Sequence, residues 1–203
     1  MYIQQLNRFR MVLGSKSPRR QHLMRELGLK FHVLTRNIDE SYPSELKREE
    51  IPLYLCEHKS KAFDDLLTDD HTIVITADTI VWIDNMNIGK PRNETEAAET
   101  LHKLSGRMHE VLTGVCLRSK NKSHSFYVCS EVFFHVLRPA EIDYYVKHFK
   151  PYDKAGAYGI QEWIGYVGIE KINGSFYNVM GLPIQRLYNE LLDFCGIEPG
   201  EVA

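Results

Sequence analysis

The segment Thr72-Ile-Val-Ile-Thr-Ala-Asp-Thr-Ile-Val-Trp-Ile83 constrains this chain more than any other part of it. Its β-branched and aromatic residues call for a buried strand, yet Asp78 falls in the middle. A carboxylate among so much apolar chain must be ion-paired, hydrogen-bonded or bound to a metal. The sequence therefore predicts strand on both sides of a break at Ala77-Asp78. On residue type alone two readings stay open. Asp78 is a turn aspartate bonding its own backbone, or it is a functional carboxylate near a strand end, where open sheets hold their ligands.

The remaining pattern alternates strand and helix signals. Met11 to Gly14 is a short apolar run that stops at Gly14-Ser15, and Pro18 opens a helix with Leu23, Met24 and Leu27 on one face and Gly28 as its stop. Proline suits a first helical turn, because its missing N–H would go unpaired there anyway. Gly14 to Ser17 is then a strand-to-helix loop. A second strand is expected over Phe31 to Leu34, ending near Asp39-Glu40, and a helix over Ile51 to Leu67. Asn93 and Glu96 stand at capping-box spacing, ahead of an apolar face of Ala97, Leu101 and Leu104 that stops at Gly106. Two β-rich stretches follow at 108–119 and 125–137. Pro139 opens a helix with Ile142, Tyr145, Val146 and Phe149 at i, i+3, i+4 and i+7. A strand over 164–172 and a helix from Pro183 complete the pattern. Interleaved strands and helices indicate an α/β fold, and the two long neighbouring strands require an antiparallel component. The expected architecture is a single domain over 1–203 with a mixed, partly antiparallel central sheet and helices on both faces.

Composition removes several function classes. The chain has 203 residues, 43% hydrophobic and 26% charged, as an ordinary globular protein does. A formal net charge of -2 leaves no broad footprint for duplex nucleic acid. A small anion needs only a local cluster of cations. The opening MYIQQLNRFRMVLG lacks the apolar core of a signal peptide, and no apolar run is long enough to span a bilayer. Cys56, Cys116, Cys129 and Cys195 form no CxxC pair and match neither a zinc site nor a disulfide framework, so reduced thiols in a cytoplasmic protein are expected. The nine histidines show no HExxH spacing.

Several local constellations bear on chemistry. Ser15-Lys16-Ser17-Pro18-Arg19-Arg20 combines a helix N-terminus, two hydroxyls and two guanidinium groups, all suited to phosphate. A capped surface loop with solvated arginines is the competing reading, and the GxxxxGK[ST] pattern is absent. Lys59 shares a helix face with Leu55, Ala62 and Leu66, so it needs an anionic partner or a route to water for its long stem. Glu40 follows a strand and Lys90 lies in Gly89-Lys90-Pro91, where a solvated charge is the default. In 153–161, two glycines and small or flat residues permit close backbone approach to a ligand, and Gln161 offers an amide able to read a base edge.

Taken together, SKSPRR (15–20), DE (39–40), KSKA (59–62), ADT (77–79), GKP (89–91), LSGRMHEVLTGV (104–115), DKAGAYGIQ (153–161) and GSFYNVMGLP (174–183) resemble the Maf family of nucleoside triphosphate pyrophosphatases in order and spacing. The resemblance implies a Maf/inosine-triphosphatase-like fold of two lobes around a deep cleft, a homodimer, and a divalent cation, Mg²⁺ or Mn²⁺. It implies Asp78 as the catalytic carboxylate, and Ser15, Arg20, Lys59 and Lys90 as phosphate-binding residues. Glu40 and Asp78 become metal ligands, and Arg19, Thr79 and Gln161 the residues that set base specificity. Thr79 after Asp78, with the GAYGIQ loop, resembles the branch acting on dTTP and UTP; the 7-methyl-GTP branch carries glutamine after the aspartate. Two departures from the family pattern are Ser60, where alanine is commoner, and Glu162-Trp163, expected to alter the pocket rim. Two other functions stay open: a non-catalytic nucleotide-binding regulator of cell division, against which the complete charged set argues, and a pyrophosphatase for another base.

Overall fold

The computed structural model of the chain describes residues 1–198. In chain order the elements are α1 (Tyr2–Leu6), β1 (Arg10–Leu13), α2 (Pro18–Glu26), β2 (Phe31–Val33), α3 (Glu50–Lys61), β3 (Thr72–Ile83), β4 (Met86–Ile88), α4 (Glu94–Leu104), β5 (Met108–Arg118), β6 (Ser123–Phe134), α5 (Pro139–Phe149), α6 (Trp163–Gly168), β7 (Ile169–Asn173), α7 (Phe176–Val179) and α8 (Ile184–Phe194). Short 3₁₀ turns lie at Asp64–Leu66 and Ala155–Ala157. Seven strands form one sheet in the order β2-β1-β3-β5-β6-β7, with β4 paired to β3. Strand β1 runs parallel to β2 and β3, and the other pairings are antiparallel. This is the mixed sheet that the alternation of signals requires.

Strand β3 is not broken at Ala77-Asp78. It pairs with β5 without interruption from Val74 opposite Arg118 to Trp82 opposite Glu110. A continuous ladder leaves no room for a turn, and the charge of Asp78 is met instead by a side chain from above the sheet. The strand then turns through Asp84-Asn85, both at positive φ (53° and 59°), into β4, which local patterning does not announce.

Two further expectations change. The helix expected to Leu67 ends at Lys61, because Phe63 drops into a small core with Val12 and Val74 and the chain tightens into a 3₁₀ turn. The strand expected over 164–172 begins only at Ile169; residues Trp163–Gly168 are a helical turn. Gly165 allows this, since a Cβ there would stand 1.8 Å from the carbonyl oxygen of Ile160. Helix α1 is an addition to the expected set.

Alternation along β3 divides its side chains between the faces of the sheet. On one face Ile73, Ile75 and Ala77 join a core with Leu23, Met24, Leu187 and Leu191 of α2 and α8. Farther along the same face, Val81 and Ile83 join a second core with Leu101, Leu104, Ile142 and Tyr145 of α4 and α5. These two cores are the lobes, and Thr79 lies at the changeover between them. On the opposite face, Ile80 and Trp82 pack under Ile51 and Leu55 of α3. Helices thus cover both faces.

The cleft follows from unequal strand lengths. Strand β1 ends at Leu13, opposite Ile75, while β3 continues to Ile83. Between Ile75, where pairing with β1 ends, and Val81, where pairing with β4 begins, that side of β3 has no neighbouring strand, and Asp78 and Thr79 line the space that β1 leaves. Gly14 begins the departing loop. A Cβ at that position would meet Phe63 at 2.8 Å and Thr76 at 2.9 Å, so only glycine lets β1 turn away there.

Candidate active site

The loop after β1 places the first set of groups. Ser17 caps α2, its Oγ accepting from the Arg20 N–H at 3.4 Å, and Pro18 occupies the first turn. Ser15 is buried, and its Oγ accepts from the Ser17 N–H at 3.2 Å. Arg20 turns inward. Its Nε donates to the Gly181 carbonyl (2.7 Å), Nη1 to the Ala77 carbonyl (2.7 Å) and Nη2 to Thr79 Oγ1 (3.0 Å). Three of its five donors are held by the protein, which locks the guanidinium across the gap between the lobes. Burial lowers its pKa, against the opposing pull of Asp78. Arginine remains charged at any physiological pH regardless.

Helix α3 supplies the second set. Gly114 of β5 lies opposite Asp78 in the ladder, and a Cβ there would meet the Pro52 carbonyl oxygen at 2.4 Å. The bare glycine lets α3 settle on the sheet, and two turns later Lys59 reaches Asp78. Lys59 Nζ stands 2.5 Å from Asp78 Oδ1 and 2.8 Å from Glu40 Oε1, and its side chain is only 11% exposed. This is the anionic partner that a lysine in an apolar stripe requires. Lys90 Nζ approaches the other Glu40 oxygen at 3.4 Å from the exposed rim. Partial burial pushes the Glu40 carboxyl upward, but the bonds and charges of Lys59 and Lys90 outweigh it and hold its pKa below the usual value.

The third set comes from the segment after α5. Arg19 Nη1 donates to Asp153 Oδ2 at 3.0 Å, and Lys154 Nζ bridges Asp153 (2.7 Å) and Glu162 (3.1 Å). Burial raises the Asp153 pKa, and its bonds to Lys154 and Arg19 more than reverse the effect. Glu162 is turned inward rather than out to a rim: it also accepts from the Tyr145 hydroxyl, which in turn accepts from the Gly159 N–H at 3.0 Å. The departure from the family pattern at Glu162 therefore anchors the 153–161 segment from behind. Ser60 is equally internal, its hydroxyl donating to the Glu57 carbonyl.

Ser15, Arg19, Arg20, Glu40, Lys59, Asp78, Thr79 and Lys90 all line one cleft of about 550 Å³. Gln161 does not. It lines a side pocket of about 40 Å³ that shares Arg19, Thr79, Ala155, Met180 and Gly181 with the cleft. Its Oε1 is buried without a protein partner. The sequence reading passed over Lys16 and Arg36, which add cations to the cleft wall, and Asp153, whose link to Arg19 spans 134 residues. Lys16 lies inside SKSPRR and Asp153 opens DKAGAYGIQ; no local signal marks Arg36.

Among the described residues, no three His, Cys, Asp or Glu side chains gather into a metal cage. Asp78 and Glu40 do converge on one point, Lys59 Nζ. Magnesium-type ions bind through one or two carboxylates and complete their shell with water and substrate phosphates. A converging carboxylate pair in a phosphate-sized cleft fits that requirement.

The Maf-like protein family matches residues 10–194. The chain belongs to this family. A relative from Parabacteroides distasonis named dTTP/UTP pyrophosphatase is 51% identical over 193 residues, 95% of this chain and 100% of its own. One from Phocaeicola vulgatus with the same name is 50% identical over 190 residues, 93% of this chain and 98% of its own. Among solved structures, a HAM1 protein from Coxiella burnetii is 16% identical, covers 91% of this chain and 99% of that one, and has a TM-score of 0.49. In this Maf member, Arg19, Arg20, Glu40, Lys59 and Lys90 line one cleft with Asp78.

Proposed function

We propose that this chain hydrolyses dTTP and UTP to the nucleoside monophosphate and pyrophosphate. The observation that carries the reading is Asp78, 14% exposed at the cleft and held by Lys59, within a wall of cations sized for a triphosphate. Two relatives of about half-identical sequence bear the name of that activity. A triphosphate brings about four negative charges, so positioning and charge neutralisation dominate its hydrolysis. Ser15, Lys59 and Lys90 bind phosphate oxygens, and Arg20 presents its two uncommitted N–H groups to them. Asp78 orients the water and takes its proton as oxygen attacks the α-phosphorus. The new P–O bond forms as the bond to the β-phosphate bridging oxygen breaks, and pyrophosphate leaves with that electron pair. Asp78 and Glu40 would hold Mg²⁺ or Mn²⁺, which supplies further neutralisation of phosphate charge. Arg19, Thr79 and Gln161 surround the base at the side pocket.

A homodimer and a cytoplasmic setting belong to the same proposal. The first rests on the family resemblance, the second on four free cysteines. No helix among the described residues is long and apolar enough to cross a membrane.

The test is incubation of dTTP, UTP, CTP and 7-methyl-GTP with Mg²⁺, scoring orthophosphate and pyrophosphate separately. Monophosphate and pyrophosphate from dTTP and UTP are expected. Asp78→Asn, which keeps the shape and removes the charge, is expected to lower kcat by at least about 100-fold with the fold intact. Release of orthophosphate and diphosphate would defeat the mechanism, and a preference for 7-methyl-GTP would defeat the base assignment.

A further inference from the structure

Thr79 Oγ1 has one proton and two lone pairs, and the protein around it commits most of them. Arg20 Nη2 can only donate, and at 3.0 Å it occupies one lone pair. Directly across the ladder stands Thr113, fully buried, its Oγ1 2.9 Å from Thr79 Oγ1. Thr113 Oγ1 also lies 3.1 Å from the backbone carbonyl of Asn178, which can only accept. Assigning the single proton of Thr113 to that carbonyl makes Thr113 the acceptor for the Thr79 hydroxyl. The one other acceptor near Thr79 is the Gly181 carbonyl, 3.5 Å away and already accepting from Arg20 Nε at 2.7 Å, so Thr113 at 2.9 Å is the better acceptor. With its proton held by Thr113 and one lone pair by Arg20, Thr79 has a single lone pair left to offer the pocket that it lines.

We propose that Thr113 is a positioning residue that fixes Thr79 as a hydrogen-bond acceptor toward the base, so that a pyrimidine with N–H at position 3 is taken and cytosine is refused. This rests on the reading that Thr79 faces the base of a pyrimidine triphosphate. Thymine and uracil carry a donor at N3, which the free lone pair accepts. Cytosine carries a lone pair at N3, and two acceptors meeting in a confined pocket leave both unpaired. Thr113 touches neither substrate nor Asp78; it acts through the direction of a neighbour's proton. The Thr113→Val change removes that direction while keeping the side-chain shape, and frees the Thr79 proton to turn toward the pocket.

The measurement is kcat/KM for dTTP and CTP, with Mg²⁺, in wild type, Thr113→Val and Thr113→Ser, with thermal unfolding of each. Thr113→Val is expected to raise the CTP-to-dTTP ratio by about five- to tenfold, the worth of one hydrogen bond. Thr113→Ser keeps the hydroxyl and is expected to keep the wild-type ratio. A purely structural role for Thr113 would lower both rates together and leave the ratio in place, and that result in folded protein overturns the proposal. If Thr113→Val does not fold, Thr113→Ala against Thr113→Ser makes the same comparison, since the two differ only in the hydroxyl. Failure of the underlying reading shows in wild type alone, as an absence of dTTP hydrolysis or of any preference over CTP, and it takes the proposal with it.

Discussion

Charged residues at the site differ in how openly the sequence declares them. Asp78 and Lys59 stand out because each interrupts an apolar pattern, and each turns out to be the other's partner at 2.5 Å. Arg20 gives no comparable signal. Its placement depends on carbonyls at Ala77 and Gly181, 57 and 161 residues away, which any residue type would supply. Thr113 is equally silent, because a threonine in a strand is ordinary and only the register makes it face Thr79. His109 illustrates a hidden charge state. It is 1% exposed on β5, its Nε2 2.8 Å from the Tyr158 hydroxyl and its Nδ1 without a partner. Burial pushes its pKa down from 6.5 to about 4. Between those values the unfolded chain binds a proton that the native state refuses. Stability therefore rises with pH across the window and is lost as pH falls from 6.5 toward 4, by up to about 3 kcal/mol. Urea unfolding at pH 7 and pH 5 should show a steeper loss for wild type than for His109→Gln. Equal losses would mean that His109 is not the group responsible.

At the scale of elements, most helices and strands follow from their own residues, and the misreadings have one common origin. Asn93 caps α4 through the Glu96 N–H at 2.9 Å, as the spacing requires; α4 buries Ala97, Leu101 and Leu104 and α5 buries Ile142, Tyr145 and Val146, while Phe149 at the end of α5 stays exposed. Where the reading failed, tertiary contact overrode the local pattern: Phe63 ends α3, a ladder carries β3 through Asp78, and Gly165 coils α6 against Ile160. The contact of α3 with β5 matters most for the site, because it delivers Lys59. Gly114 permits it, with the Pro52 carbonyl 2.4 Å from where a Cβ would be. The neighbouring atoms are helix backbone and cannot rotate away, so a methyl group must push α3 outward. Gly114→Ala is expected to lower stability by about 1–3 kcal/mol, the usual consequence of overpacking. It should also lower kcat for dTTP at temperatures where the protein is fully folded, since Lys59 moves with its helix. Unfolding curves and turnover on the same preparation separate the two effects. A normal kcat in a destabilised variant would mean that the position of α3 does not govern the site.

The mixed sheet and its two-sided helical cover were legible in the order of signals along the chain, whereas the cleft was implied only by the family resemblance. It exists because β1 stops at Leu13 while β3 runs on to Ile83, a difference in length that only pairing reveals. The same geometry draws its walls from both lobes. Ser15 and Arg20 come from the β1–α2 side, whose helix packs in the first core, while Asp153 and Ala155 come from the segment beside the second. A ligand that fills the cleft must touch both, and the unfolded chain offers no such arrangement. An uncleavable α,β-imido analogue of dTTP should therefore stabilise the native state by linkage, by about 2.7 kcal/mol at a concentration 100 times its Kd. Inorganic pyrophosphate and dTMP each satisfy part of the wall, so each alone should raise Tm less than the analogue at equal concentration. Lys90 is 55% exposed and contributes through solvent, so part of the analogue's shift should fade with added salt. The deeply placed Lys59 is screened less. Thermal unfolding with each ligand at low and high salt reads all of this. If the analogue moves Tm no further than dTMP does, the triphosphate does not span the lobes, and the cations around Asp78 serve some other anion.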